Sequence, residues 1–173
     1  IGAVLRSLAV GQVVSSRHPD YAEDDVVVGW FGWQEFATVP ASSVVRKVLE
    51  TDLPASLALG VLGINGITAL LALARIGEPK PGETVVVSTA AGAVGSAAGQ
   101  IAKIMGCRTV GIAGGAEKVK ACLEDFGYDE AIDYRAGPID DALGAACPDG
   151  IDVYYDNVCL LYTSPSPRDL STS

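Results

Sequence analysis

From residue 84 to residue 155, short apolar runs alternate with amphipathic segments of helical length. The run at 84–88 reads TVVVS, and a continuous β-branched run of this kind is typical of a buried parallel strand. Strands that alternate with helices indicate βαβ units, and therefore a parallel sheet with helices on both faces. The predicted strands are 84–88, 108–112, 130–134 and 151–155, and the predicted helices are 93–105, 116–126 and 139–147.

The first 56 residues have strand character without intervening helices. A β-branched run at 26–30 and a second run at 36–39, which a proline ends, predict two strands. The apolar stretch 57–76 that follows is tested as a membrane span, which needs about 20 predominantly apolar residues. Glycines, an asparagine and an arginine interrupt this stretch, so we interpret it as one or two buried helices.

Composition and charge exclude several classes of protein. Hydrophobic residues make up 49% of the 173 residues and charged residues 19%, whereas a disordered chain has low hydrophobicity and high charge. The formal net charge of −9 argues against nonspecific nucleic-acid binding and against docking on anionic lipid, since both need a cationic surface. We therefore predict no nucleic-acid partner and no membrane partner.

The cysteines and the single histidine are not spaced as metal ligands or as a disulfide framework. Cys107, Cys122, Cys147 and Cys159 have no close pairs, and a structural zinc site usually needs four Cys or His ligands at tight spacing. We predict no metal, no disulfide, and reduced thiols in a cytoplasmic protein. His18 has no accompanying constellation for acid–base chemistry, so we do not predict it to be catalytic.

The most informative motif joins the strand at 84–88 to the helix that follows it. The connection reads TAAGAVGS, a dinucleotide-binding fingerprint in which Ala90 replaces the first glycine. A Cβ at Gly92 would hold a pyrophosphate away from the backbone, and Gly95 lets the helix pack close to the sheet. N–H groups of the first helical turn would then meet the phosphates. Small residues can also serve helix packing alone, but the position inside a βαβ unit favours dinucleotide binding.

The end of the second parallel strand bears on the choice between NAD and NADP. An NAD site usually has an acid there for the ribose 2′-OH, whereas this strand leads into Gly114 and Gly115. These glycines leave room for a 2′-phosphate, and Lys118 is placed to supply positive charge. The alternative is that Lys118 is an ordinary solvated lysine, paired with Glu117 or Glu124. The absence of an acid favours NADP.

Six stretches of the sequence carry a family resemblance. They are AVGQVVSSRHPDY, VVGWFGWQEFATVPAS, LGINGITALLAL, STAAGAVGSAAGQIAKIMGCRTVGIAGGAEK, DEAIDYR and CPDGIDVYYDNV. In these stretches, from about residue 2 to Val158, the chain resembles the zinc-independent medium-chain dehydrogenase/reductases, in the NADP-dependent branch of alkenal/one, prostaglandin and curcumin reductases. The family continues after Asp-Asn-Val with Gly-Gly and a helix, whereas this chain continues with Cys159-Leu160.

The resemblance implies an α/β fold in two domains. Residues 1–56 would be the C-terminal part of a GroES-like β-barrel domain, in which Trp30, Phe31 and Trp33 are expected to pack in the core or at the rim rather than form a stacking platform. Residues 57–158 would be an incomplete Rossmann domain, a doubly wound parallel sheet with leading helices. Residues 159–173 are expected to be a foreign tail, so the chain is interpreted as a fragment.

The resemblance also assigns roles to residues. The pyrophosphate cradle would be formed by Gly92, Ala93, Val94 and Gly95. Lys118 and Tyr134 would form the 2′-phosphate clamp. Asn157 would contact the cofactor. The implied cofactor is NADP(H). Gly66 and Thr68, near the nicotinamide in relatives, are retained. Asn65 and Leu70 depart from the family pattern, which leaves the substrate preference open.

The activity implied by the resemblance is NADPH-dependent reduction of the C=C bond of α,β-unsaturated ketones and aldehydes, with hydride transfer to the β-carbon. In relatives a tyrosine beyond the present C-terminus assists protonation, so no catalytic residue is named and the fragment is expected to be inactive. The alternatives are a quinone or enoyl-thioester reductase on the same scaffold and a non-catalytic NADPH-binding fragment. The implied partner is a small enone or enal, and the full-length family member is expected to be a homodimer.

Overall fold

The computed structural model describes residues 2–158 and divides the chain into two compact units, one up to Asn65 and the other from Gly66 onward. The sequence-based boundary at residue 56 places the segment 57–65 in the second domain instead. The prediction of a foreign tail at 159–173 lies outside the described residues.

The first unit contains a three-stranded antiparallel sheet in the order β1-β2-β3. In its register Val10 lies opposite Val28, which in turn lies opposite Arg46. The strands are β1 (Ala9–Gln12), β2 (Val26–Gly29) and β3 (Val44–Lys47), and short 3-10 turns occupy Ala41–Ser43 and Ala55–Ala58. The predicted strand character of this region is confirmed.

The strand predicted at 36–39 is wrong. The chain follows an irregular path there, and the Phe36 side chain is 78% exposed. Pro40 lacks the N–H that a sheet ladder needs, and the 3-10 turn after it redirects the chain. Pairing with β2 therefore begins at Val44, with Val27 opposite Lys47.

The expected packing of the aromatic residues after β2 is also wrong for the two tryptophans. Trp30 is 59% exposed and Trp33 is 76% exposed. Phe31 is partly buried, and its ring lies against Gly29, where an added Cβ would collide with it. Gly32, between the two tryptophans, has a φ of +74° and turns the chain.

The apolar stretch 57–76 contains one nine-residue α-helix, within the predicted one or two, but only Gly66 and Ala69 of that helix are buried, so the predicted burial is wrong for most of it. Helix α1 (Ile64–Ala72) passes into a π-helical turn at Leu73–Gly77. A tight turn precedes it, because a Cβ at Gly63 would collide with the carbonyl of Ala58. Glu78 ends the π-helical turn with left-handed backbone, and its N–H donates to the carbonyl of Leu73 at 2.7 Å.

The second unit is built on a four-stranded parallel sheet in the order β6-β5-β4-β7. This is the order of the first four strands of the doubly wound Rossmann sheet, so the predicted fold class is confirmed. The strands are β4 (Thr84–Ser88), β5 (Arg108–Ala113), β6 (Glu130–Asp133) and β7 (Val153–Tyr155), and the helices are α2 (Ala93–Ile104), α3 (Ala116–Glu124) and α4 (Ile139–Ala146).

The core of this unit lies on both faces of the sheet. One face of β4, with Val85 and Val87, packs against the small residues of α2, while Val86 on the other face joins a cluster with Val110 and Ile132. All five residues of β4 are buried, as expected for the central strand of a sheet covered on both sides. From β4 the chain continues to β5 and β6 on one side of the sheet and then returns to β7 on the other side, so the strand order reverses at β4. A reversal of this kind creates a crevice at the carboxyl ends of β4 and β7.

Cys107, Cys122 and Cys147 are buried free thiols, and burial raises the pKa of each. Cys159 lies outside the described residues. Within residues 2–158, none of the helices is both long and apolar enough to cross a membrane.

Candidate cofactor-binding site

The glycine turn, which we define as Gly92–Gly95, lies directly at the carboxyl end of β4. Thr89 turns the chain there with a φ of +51°, and Gly92 precedes the first residue of α2 in extended conformation. A Cβ at Gly95 would collide with the carbonyl oxygen of Thr89 and lie 2.9 Å from the Cα of Ala90. Only glycine therefore allows α2 to begin this close to the strand, as the sequence predicted.

The glycine turn presents backbone N–H groups that nothing in the described chain uses. The first hydrogen bond of the helix runs from the N–H of Ser96 to the carbonyl of Gly92, at 2.8 Å. The N–H groups of Ala93, Val94 and Gly95 come before it and have no partner within residues 2–158. No side chain caps this helix. Unpaired N–H groups and the positive end of the helix dipole are together suited to bind a phosphate.

Tyr128 supports the glycine turn from behind, and sequence reasoning missed it. Its phenol donates a hydrogen bond to the carbonyl of Gly95 at 2.7 Å, and the side chain is only 4% exposed. The ring fills the space beside Gly99, where a Cβ would collide with it. Burial raises the pKa of Tyr128 well above its usual range, so the phenol stays protonated and remains a donor.

Asn157 lies beside the end of β4, at the crevice where the strand order reverses. Its backbone N–H donates to Ser88 Oγ at 2.7 Å, and its side-chain Nδ2 donates to the Ser88 carbonyl at 3.0 Å. Ser88 Oγ donates in turn to Asp156 Oδ1 at 2.8 Å. These bonds fix the Asn157 amide within the same crevice as the glycine turn and leave its Oδ1 as an acceptor. The supporting Ser88 hydroxyl was not singled out from the sequence.

The strand-tip loop, which we define as Ala113–Ala116 between β5 and α3, is open and shaped by two glycines. Gly115 has a φ of +97°, a conformation that side chains rarely adopt. The Tyr134 ring, 45% exposed, lies against Gly114, whose Cβ position is 2.8 Å from Tyr134 Oη. The structure therefore brings Tyr134 to the tip of β5, where the sequence placed a 2′-phosphate.

Lys118 is exposed on the first turn of α3. Within the described chain its ammonium group forms no ion pair, so the alternative pairing with Glu117 or Glu124 is not seen. Glu124 pairs instead with Lys120, at 3.6 Å. Lys118 and Tyr134 lie on the segments that follow two neighbouring strands, and no hydrogen bond joins their side chains.

Asp133 is an acid at the tip of β5 that the sequence argument did not find, because it belongs to β6. Its Oδ1 accepts hydrogen bonds from the N–H of Gly115 at 2.9 Å and from the N–H of Arg135 at 3.0 Å. These two bonds hold the pKa of Asp133 below its usual value. One oxygen of the carboxylate, Oδ1, is thus hydrogen-bonded to two backbone N–H groups. The Arg135 guanidinium lies 5.6 Å from the centre of the Tyr134 ring and adds a second cation to this region.

The comparisons with known proteins cover most of the chain. The family described as "N-terminal domain of oxidoreductase" matches residues 1–48, and the family described as "Zinc-binding dehydrogenase" matches residues 93–166. Within residues 2–158, however, no three side chains of the His, Cys, Asp or Glu type are grouped so that they could hold a metal.

Relatives and solved structures agree with these families. The chain is 46% identical over 158 residues to the NADPH-dependent curcumin reductase of Escherichia coli, covering 91% of this chain and 46% of that protein. It is 40% identical over 158 residues to the NADP(+)-dependent 2-alkenal reductase of Nicotiana tabacum, with the same coverage of both chains. The structure of CurA from Vibrio vulnificus in complex with NADPH matches with a TM-score of 0.76 and 39% identity, over 88% of this chain and 45% of that one. The chain therefore spans about half the length of the relatives it matches.

Proposed function

Because this chain belongs to the medium-chain dehydrogenase/reductase family, we propose that it binds NADPH and that the whole protein reduces the C=C bond of α,β-unsaturated ketones or aldehydes. The two relatives described above are named for NADPH-dependent reduction of curcumin and for reduction of 2-alkenals. Both substrate classes contain a carbon–carbon double bond conjugated to a carbonyl group. The proposal concerns that shared chemistry and commits to no physiological substrate.

The observation that carries the proposal is the glycine turn. It combines unpaired N–H groups at Ala93, Val94 and Gly95 with two positions, Gly92 and Gly95, that carry no Cβ. A pyrophosphate carries two negative charges in a small volume, and this geometry suits it without any cationic side chain. The formal net charge of −9 is therefore compatible with an anionic cofactor.

The preference for NADPH over NADH is proposed to rest on the strand-tip loop. Gly114 and Gly115 leave room for a 2′-phosphate, and Lys118 has an ammonium group without an ion-pair partner in the described chain. Tyr134 would supply a phenolic O–H at the same place. A lysine and a hydroxyl are suitable donors to a phosphate that NADH lacks.

The reaction itself would draw on the crevice at the ends of β4 and β7. When bound, NADPH supplies the hydride from its nicotinamide ring. Asn157, fixed by Ser88, offers its Oδ1 to a hydroxyl or amide donor of the cofactor and so helps to orient it. We assign no catalytic residue within residues 2–158. The homodimer and the cytoplasmic location remain predictions.

The reaction is tested with the complete reading frame that contains this sequence. NADPH oxidation is followed at the nicotinamide absorbance with an unsaturated ketone, with the matching saturated ketone, and with a quinone. The proposal predicts oxidation that depends on the unsaturated ketone and yields the product heavier by two hydrogens. Oxidation with the quinone alone would contradict the proposed substrate class. Oxidation with the saturated ketone would contradict C=C reduction.

A further inference from the structure

The two segments that carry the predicted 2′-phosphate clamp are joined by a single carboxylate oxygen. Oδ1 of Asp133 accepts the N–H of Gly115, on the segment that leads to Lys118, at 2.9 Å. The same oxygen accepts the N–H of Arg135, next to Tyr134, at 3.0 Å. Asp133 is the last residue of β6, and its register partner is Ala113 at the end of β5.

The bond to Gly115 selects one backbone conformation of a glycine, a residue that could otherwise adopt several. Gly115 is the residue directly before α3, has a φ of +97°, and no side chain caps this helix. Because Asp133 binds the N–H of that residue, it fixes where α3 begins. Because Lys118 lies on the first turn of α3, its position relative to the β6 segment then depends on Asp133.

The bond to Arg135 fixes the other side of the clamp. It turns the chain immediately after β6, and the N–H of Tyr134 donates to the carbonyl of Ala113 at 3.1 Å. The Tyr134 ring is held against Gly114 by this turn, with the Arg135 guanidinium 5.6 Å from its centre. The segments on both sides of the clamp are therefore hydrogen-bonded to one atom, Oδ1 of Asp133.

We propose that Asp133 is a positioning residue for cofactor preference: through Oδ1 it holds the strand-tip loop and the Tyr134 segment at the separation that a 2′-phosphate requires. This inference rests on the proposed binding of NADPH. It assigns to Asp133 a role opposite to that of an acid at a strand tip in NAD sites, where the carboxylate itself holds the ribose hydroxyl. Here the acid acts through backbone amides.

The test compares two substitutions of one residue. Asp133→Asn keeps a carbonyl oxygen where Oδ1 lies and loses the charge, whereas Asp133→Ala loses the acceptor. The dissociation constants of NADPH and NADH are measured for both variants and for the unmodified chain. Asp140→Ala removes one exposed carboxylate and is the matched control for charge. The readout is the ratio of the two dissociation constants. A smaller fraction of folded protein changes both constants by the same factor and leaves their ratio unchanged.

The proposal predicts that Asp133→Ala lowers the NADPH-to-NADH preference by about fivefold or more, the effect expected for the loss of hydrogen bonds that hold the clamp. Asp133→Asn and Asp140→Ala should keep the preference within about twofold, because each retains the acceptor at residue 133. Hydrogen exchange at the amide of Gly115 should become faster in Asp133→Ala alone.

An unchanged ratio in Asp133→Ala would overturn the inference while leaving NADPH binding intact. An equal loss in Asp133→Asn and Asp133→Ala would also overturn it, because charge rather than the acceptor would then be responsible. If the unmodified chain binds neither cofactor, the proposed function fails, and the role of Asp133 in preference fails with it.

Discussion

The phenol of Tyr128 donates a hydrogen bond to the carbonyl oxygen of Gly95 across 33 positions of the sequence, at 2.7 Å. The bond joins the segment after α3 to the glycine turn at the start of α2. Gly95 is itself buried, so water could not readily replace the phenol as a donor to its carbonyl. The position of the glycine turn therefore depends on a tyrosine outside the fingerprint.

Replacing Tyr128 with phenylalanine should destabilise the chain by about 1–2 kcal/mol, because the buried carbonyl of Gly95 loses the hydrogen bond from the phenol. Urea unfolding measures the change as a shift of midpoint with an unchanged slope. Tyr155→Phe is the matched control, since its hydroxyl lies at 3.5 Å from the Thr68 carbonyl and should contribute less than about 0.5 kcal/mol. Equal shifts in the two variants would show that the Tyr128 bond has no special role.

Gly99→Ala should destabilise by about 1–3 kcal/mol, because the added Cβ collides with the Tyr128 ring and forces α2 to shift. Gly144→Ala is the control. Gly144 lies in the interior of α4 with nothing within 4 Å of its Cβ position, so alanine should stabilise that helix by about 0.5–1 kcal/mol. Thermal or urea unfolding of both variants gives the comparison. A neutral Gly99→Ala would contradict the close packing of Tyr128.

Gly92→Ala should weaken NADPH binding by about tenfold or more, because the methyl group lies where a pyrophosphate approaches the backbone. Its Cβ would lie 2.8 Å from Thr89 Cγ2 and 3.1 Å from the Thr89 carbonyl oxygen, so urea unfolding of the variant is measured beside its cofactor affinity. Fluorescence titration measures the affinity. Gly11→Ala, at an open position in β1, is the control and should bind as the unmodified chain does. Undiminished binding in Gly92→Ala would place the cofactor elsewhere.

Lys118→Ala should weaken NADPH binding by about tenfold and leave NADH binding unchanged, since a hydrogen bond to a charged group contributes about 1.5–3 kcal/mol. Lys120→Ala is matched in charge and lies on the same helix, but Lys120 pairs with Glu124 at 3.6 Å. It should affect neither cofactor. The difference for Lys118→Ala should shrink as salt is added. Equal effects of the two lysines would indicate general electrostatics rather than a clamp.

Asp129 makes stability depend on pH. Burial alone would raise its pKa, but the Lys103 ammonium at 2.6 Å and the hydrogen bonds from Thr109 outweigh burial and hold the pKa below its usual value. A lowered carboxyl pKa adds stability above the unfolded pKa, and this stability is lost as the pH falls through the folded value. The difference in unfolding free energy between the unmodified chain and Asp129→Asn should therefore be constant above about pH 5 and shrink below about pH 4. A difference that does not shrink would contradict the pKa shift.

The parallel sheet could be predicted from the sequence because its strands are buried on both faces. The run at β4 was predicted with both of its ends, since five consecutive buried positions leave a continuous apolar pattern. The antiparallel strands were harder. β3 lies at Val44–Lys47 rather than at 36–39, because the choice of partner for β2 depends on the turn at Ala41–Ser43 and not on local β propensity.

The residues that sequence reasoning missed at the site are those whose role depends on neighbours in space. Asp133 reaches the tip of β5 only because β6 lies beside β5, and no spacing along the chain reports that. Tyr128 follows α3 and resembles an ordinary core aromatic. The one available signal is the pair of glycines, Gly99 and Gly111, that make room for its ring.

We propose that this chain binds NADPH and distinguishes it from NADH at the strand-tip loop. Titration of the chain with each cofactor, under one set of salt and pH conditions, tests it directly. NADPH should bind about tenfold or more tightly than NADH, the difference that one charge-assisted contact to the 2′-phosphate provides. Equal affinities, or tighter binding of NADH, would contradict the clamp of Lys118 and Tyr134.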